Sequence, residues 1–465
     1  MSRDTVQPTH RLAIFATELE SKAIPAEVTR AATRGVTDLL GVMLAGTVQP
    51  ELRPLVAYAR STYGAGRATA LALDFPVTAE AAAFTNGAAA HVLDFDDCGD
   101  AIGGHPTVPV LPAVLALAEE TGAEAAEALA AYVVGVEVEN ALGLSLNYRH
   151  YERGWHPTAT LGIFGAAAAA SRLLGADTGT SAQALAIATS MSSGIKGNFG
   201  TLMKAGQVGF ATAKGVAAAR LAGAGVTANL DVFRGSHSFP AVFNGDDRTD
   251  WSALDDLGLR WTMTSPGLVF KLHPCCGSMH GAIDAVLALR SDGEIDPHSI
   301  ERIDVYLHPR RLPHIDRPHP ATGLAGKFSV QYVTAAAALR GALTLRDFDD
   351  DRLKADDIRR LLPQVHVHPL ADDEQVLGGR IDCFASRVEV VDAAGMHRRS
   401  VVLPRGSDPS VPLTDSELGA KFVENAALAM GRDAAPQALE KVRTWCAGDG
   451  SLCELMSFLH SKVLR

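Results

Sequence analysis

Apolar residues recur at helical spacing over 24–44, 123–146, 157–174 and 181–193, the period of helices that bury one face or all of it. Gly- and Asp-containing turns, LLGADTG at 173–179 and LAGAGVT at 221–227, separate them. Up to about residue 264 the pattern predicts helix almost throughout. Past Pro266 it changes: RIDVYL at 302–307 alternates like a strand. SRVEVV at 386–391 and HRRSVVL at 397–403 read as a hairpin turning at Asp392-Ala-Ala-Gly395. Two helices, 329–343 and a charged one at 351–362, lie between these strands, and helical spacing resumes from about Asp415 to the end. The reading is a mainly α protein. Residues 1–264 and 403–465 form a large helical domain from both chain ends, and an α+β domain, 265–402, is inserted between them.

Composition sharpens this picture. Alanine runs recur (EAAEALAAYVV, FGAAAAASRLL, TAAAALRGAL) and aromatics are only 6 % of residues, so helices are expected to pack closely through small side chains. The 465 residues exceed what one simple core supports, which favours two domains. A net charge of −11 without basic runs argues against a nucleic-acid partner. The first twenty residues carry scattered charges and no apolar core segment, and the longest uncharged stretches contain His, Pro, Gly, Ser and Thr. A cytoplasmic protein with no membrane span is expected. The six cysteines (98, 275, 276, 383, 446 and 453) show no CxxC pairing and are expected to be reduced. Cys275-Cys276 lie near His273 and His280, but adjacent cysteines fit one tetrahedral ion poorly, so no metal is expected.

Four segments place ionisable groups in otherwise apolar surroundings. HVLDFDDCGDAIGGHP, 91–106, puts Asp94, Asp96 and Asp97 within four residues, followed by His105, between two buried-looking helices. Asp97 and Asp100 serve equally well as helix caps, whereas Asp94 with His105 points to proton handling. His156 precedes a proline at a helix start, where a carboxylate or a structural packing role are equally open. In GIKGNFGTLMKAG, 194–206, glycines let a ligand approach the backbone, and Lys204 between apolar helices is a candidate carboxylate ligand. The segment has neither the spacing nor the ending of a phosphate-binding P-loop, and Lys196 is expected to be solvated. KLHPCCGSMHG, 271–281, brings Lys271, His273 and His280 to the start of the inserted domain. A cleft between the domains would use this segment on one side and the other three on the opposite side. Lysines for carboxylates and His or Asp for a proton suit carbanion formation next to a carboxylate.

These segments, with KFSVQYVTAAAALRG at 327–341 and LPRGSDPSVPLTDSELGAKF at 403–422, resemble the MmgE/PrpD family over most of the chain. The family includes 2-methylcitrate dehydratases, cis-aconitate decarboxylases and iminodisuccinate epimerases. The resemblance implies a helical domain with an inserted α+β lid, a homodimer, and catalysis without cofactor on a small polycarboxylate. By motif position, Asp94, His105, Lys204 and His280 are implied catalytic residues. Cys98, His156, Gln207 and Lys271 are implied substrate contacts. Cys98 stands where decarboxylase-type members often carry threonine, and Gln207 where the family commonly carries histidine. A dehydratase-like hydro-lyase leads. A decarboxylase or an epimerase on the same site is the alternative, and a retired member acting as a scaffold comes last.

Overall fold

A computed structural model describes residues 7–146, 148–246, 249–371, 376–377, 380–381, 384–408 and 410–463. Cys383 lies outside them, and the five other cysteines are free thiols. The helical part is built on α1 (Ala26–Thr47), α2 (Ala79–His91), α3 (Thr107–Thr121), α4 (Ala125–Leu146), α5 (Gly162–Leu173), α6 (Thr178–Thr189) and α7 (Leu202–Gly223). Two helices of the inserted part, α8 (His280–Ser291) and α9 (Val330–Arg340), follow. The chain closes with α10 (Asp415–Met430), α11 (Ala435–Cys446) and α12 (Leu452–Lys462). One apolar core runs from Leu12 to Met263 and takes in Phe422 to Leu459 from the far end of the chain. A second, from Cys275 to Val390, fills the inserted α+β part. The fold is mainly α, with a small sheet.

Small residues set how closely the helices approach, as the alanine runs predict. A Cβ on Gly46 of α1 would lie 1.9 Å from the carbonyl oxygen of Ala89 in α2. On Gly209 of α7 it would lie 2.6 Å from that of Phe84. Side chains at these two positions would force the backbones apart. The predicted helix over 157–174 divides at Leu161 into Pro157–Thr160 and α5. Among the described residues α4 alone is long and apolar enough to cross a membrane, and it is mostly buried in the core.

The sheet has strands β1 (Arg302–Leu307), β2 (Val365–Pro369), β3 (Ser386–Asp392) and β4 (Gly395–Val401), in the order β2-β1-β3-β4. Asp392 pairs with Gly395, so the predicted hairpin closes through two residues. β3 alternates buried and half-buried positions along its length, as a strand covered on one face should. The parallel edge strand β2 carries no such signal: VHVHP ends in proline and alternates with histidine, so it is legible only once β1 is beside it. The charged segment 351–362 forms two short helices, Asp350–Leu353 and Asp356–Leu361, instead of one.

The C-terminal helices do more than complete the core. Lys421 of α10 lies 2.7 Å from the Asp38 carboxylate of α1, and both side chains are buried. The same ammonium donates to the Phe95 carbonyl at 2.8 Å, inside the acidic loop. Burial pushes the Asp38 carboxyl up, and Lys421 offsets that. Lys421→Met is therefore expected to cost about 3–5 kcal/mol, the scale for orphaning one partner of a buried pair. Urea unfolding of the two proteins measures it, and a difference under about 1 kcal/mol would show that the pair anchors nothing.

Candidate active site

α2 ends at His91, and the chain then stays buried through Asp94, Asp96 and Asp97 instead of returning to the surface. Three contacts hold this loop. Lys421 binds Phe95 from the C-terminal helices, and Cys98 exchanges two 2.8 Å backbone hydrogen bonds with Val269 at the entry to the inserted unit. The Lys271 ammonium donates to the Asp94 carbonyl at 2.6 Å. Asp94 has φ +50°, left-handed backbone that a non-glycine residue keeps only where its surroundings impose it. Asp97 takes the capping role, accepting from the Thr107 amide at 3.3 Å and hydroxyl at 2.5 Å at the start of α3. Burial pushes its carboxyl well above the ordinary range.

Asp94 is the centre of the charge network. One carboxylate oxygen is 2.6 Å from the Lys204 ammonium and the other 3.0 Å from that of Lys271. Burial alone would raise its pKa, but the two ammoniums outweigh it and hold the group well below the usual range. Lys271 is raised in return, its own desolvation overcome chiefly by Asp94. Behind them Asp96 Oδ2 lies 2.8 Å from His91 Nδ1 and 3.1 Å from His105 Nδ1. Asp96 is held well below its usual range despite burial, by His105 and then His91.

These partners fix the protons. An ionised Asp96 only accepts, so both histidines donate from Nδ1. His91 Nε2 is left to accept from the Lys204 ammonium at 2.6 Å. Burial takes His91 down to about 3, so it stays neutral. His105 Nε2 faces Asp94 Oδ1 at 3.6 Å, which gives this ring a carboxylate on each side, although burial still lowers its pKa below 6.5. His156 has the opposite tautomer. Gln207 Oε1 accepts from the Ile195 amide at 2.8 Å, so its Nε2 must point at His156 Nδ1, 3.2 Å away, and donate. Neutral His156 therefore carries its proton on Nε2, for which the described residues supply no partner.

A cavity of about 80 Å³ opens at this network, between the helical and inserted parts. Of the residues singled out in the sequence, Asp94, Cys98, His105, His156, Lys204 and Lys271 line it. Gln207 does not; it sets the His156 tautomer from behind. His280 does not either. Its Nε2 lies 3.3 Å from the Cys275 carbonyl oxygen, burial takes its pKa well down, and its ring packs on His273 with centroids 5.1 Å apart. The 3₁₀ turn Gly277–Met279 precedes α8, so Cys276, Gly277 and Ser278 of this segment meet the cavity instead. Lys327 of the KFSVQY motif holds that segment, donating from Nζ to the Pro274 carbonyl at 2.7 Å.

Tyr148, Tyr151, Arg311 and His314 also stand on the cavity wall, outside the four segments singled out in the sequence. The run HPRRLPHIDRPHP, 308–320, gave the only signal for two of them: three arginines and three histidines set among prolines. His91, Asp96 and His105 also lie close enough to raise the question of a metal, with ligand atoms within 4.8 Å of one another. Asp96 accepts from both histidines and Lys204 occupies His91 Nε2, so these donors are joined in a hydrogen-bonded relay that runs from Lys204 to His105.

A family model of the MmgE/PrpD N-terminal domain matches residues 10–252, and one of the MmgE/PrpD C-terminal domain matches residues 273–446. The chain belongs to the MmgE/PrpD family. Its relatives include a cis-aconitate decarboxylase from Mus musculus, 28 % identical over 418 residues that cover 87 % of this chain and 84 % of the mouse protein. One from Aspergillus terreus is 26 % identical over 428 residues, covering 87 % of this chain and 86 % of the relative. The human cis-aconitate decarboxylase is 30 % identical over 296 residues, 62 % of this chain and 60 % of that protein. Both MmgE/PrpD regions contribute to the cavity. Asp94, His105, His156 and Lys204 come from the first, Cys276 and Arg311 from the second, and Lys271 from the connection between them.

Proposed function

We propose that this chain is a lyase that removes carbon dioxide from cis-aconitate or a close unsaturated polycarboxylate, using its own side chains. The observation that carries the reading is the similarity to cis-aconitate decarboxylases across more than four-fifths of both chains, joined to a cavity lined by lysines, histidines and a carboxylate. The hydro-lyase reading, which leads on sequence, becomes the second choice. An inactive scaffold has little to recommend it, because the buried lysines and the relay are costly to keep without use.

The chemistry runs as an allylic decarboxylation. The C–C bond to a carboxylate breaks beside the double bond, carbon dioxide leaves, and the electron pair moves through the alkene to the carbon bearing another carboxylate. That carboxylate gains charge as the bond breaks. Lys204 has spent two of its three N–H groups on Asp94 and His91, and its third, with the Nε2–H of His156, stabilises the developing charge. A proton must then reach the new carbanion. His105, flanked by Asp96 and Asp94, carries it and recovers it from water between turnovers.

The direction of the proton separates the two readings. A decarboxylase needs His105 protonated at the start, whereas a hydro-lyase needs a free base. Because burial lowers the His105 pKa from 6.5, the protonated form is complete only in acid and is lost as pH rises through that lowered value. Asp94 and Asp96 stay ionised over this range. With cis-aconitate, kcat is expected to fall as pH rises through the value for His105, with carbon dioxide and one solvent deuteron at the protonated carbon detected by NMR in deuterium oxide. Hydrated products, or a rate that rises with pH, would overturn the decarboxylase reading.

A further inference from the structure

The mechanism above uses one end of the cavity, where Lys204 and Lys271 surround Asp94. The wall from the inserted unit carries another cation, Arg311, from the run at 308–320. It is buried, at 9 % exposure, unusual for an arginine. Its guanidinium carbon lies over the Phe384 ring, 4.4 Å from the centroid, and the group donates to the Tyr151 phenol. A guanidinium held over a ring and hydrogen-bonded to a phenol is restrained where it stands, and a restrained guanidinium suits a planar carboxylate better than a mobile ammonium does. Tyr151 belongs to the helical part and Arg311 and Phe384 to the inserted part, so the guanidinium is held only where the two meet.

We propose that Arg311 binds a second carboxylate of the substrate, so that the cavity selects polycarboxylates by gripping them from both of its walls. This deepens the polycarboxylate reading of the same site and rests on it. The lysine end stabilises the carboxylate whose charge grows during reaction. The arginine end holds one whose charge does not change, which orients the scissile bond without entering the chemistry. His314 nearby stays neutral: burial, and after it the charges of Arg311, Lys196 and Arg317, lower its pKa to about 3. That leaves it able to donate or accept a single hydrogen bond at this end, and it already lies 3.2 Å from the Ser278 hydroxyl through Nε2. Lys196, expected to be solvated, instead rests its ammonium on the Tyr151 ring at 3.6 Å.

Binding of unreactive analogues tests this apart from turnover. Calorimetry would compare propane-1,2,3-tricarboxylate with glutarate and 2-methylsuccinate, each lacking one of its carboxylates, on wild type, Arg311→Met and Arg311→Lys. Arg311→Met is expected to weaken the tricarboxylate by about 100-fold and Arg311→Lys, which keeps the charge but loses the guanidinium, by about 10-fold. For one of the two dicarboxylates the variants are expected to bind as wild type does, because the carboxylate that Arg311 holds is gone. Equal weakening of all three ligands would reduce Arg311 to a general field effect and overturn the proposal. So would unchanged binding of the tricarboxylate to Arg311→Lys, the variant that keeps the buried charge and the fold if Arg311→Met does not. Wild type that binds none of the three would overturn the polycarboxylate reading itself, which the variants alone cannot do.

Discussion

Lys204→Ala is expected to lower kcat by about a hundredfold or more, the scale for removing a preorganised charge from a water-poor site. The argument is one of position. Lys204 stands in the first turn of α7, only 5 % exposed, with Asp94 at 2.6 Å and His91 at 2.6 Å. Those two bonds aim the ammonium and leave its third N–H for the cavity. Alanine removes the charge that meets the substrate and leaves Asp94 balanced by Lys271 alone, so the anion-binding end of the cavity loses half its ammonium charge. Substrate binding is expected to weaken along with kcat, since the same group serves ground and transition states. Steady-state kinetics on the purified variant, with its melting temperature compared to wild type, decide the matter. Turnover near wild type in a folded variant would remove Lys204 from the chemistry.

His105→Ala is expected to be at least as damaging, again about a hundredfold or more in kcat, the usual worth of a positioned proton donor. Its distinguishing mark is the pH profile. Wild type should lose activity as pH rises through the lowered His105 pKa, and the residual activity of His105→Ala should be flat across that range. Asp96→Asn offers a complementary measure, because it leaves the ring in place and removes the charge that both histidine Nδ1 groups address. The limb in that variant should move to lower pH, since Asp96 is what opposes desolvation at His105. A His105→Ala enzyme that keeps the wild-type limb would assign the proton to another group.

Much of this site could be read before folding. Asp94, His105, His156, Lys204 and Lys271 stood out because ionisable residues in apolar surroundings are expensive unless paired or used, and the structure brings all five to one cavity. His280 looked equally good by that rule and falls outside. Distance along the chain does not tell which side of a turn meets the cavity, and three residues of 3₁₀ helix before α8 suffice to put Cys276 there instead. Gln207 was placed among the substrate contacts, yet it acts on His156 through a hydrogen bond to a backbone amide that no pattern predicts. Arg311 and Tyr151 lie 160 positions apart in the chain and acquire meaning only by meeting.

The order of residues along the chain is enough to give the main helices, the hairpin, the mainly α class and the residue types of the site. These follow from the period of apolar positions and the cost of burying charge, both of which are local. The rest is settled by folding. The tautomers of His91, His105 and His156, the two ammoniums on Asp94 and the restrained arginine depend on which distant groups share a few ångströms. Protons and charges respond to those distances and not to order along the chain.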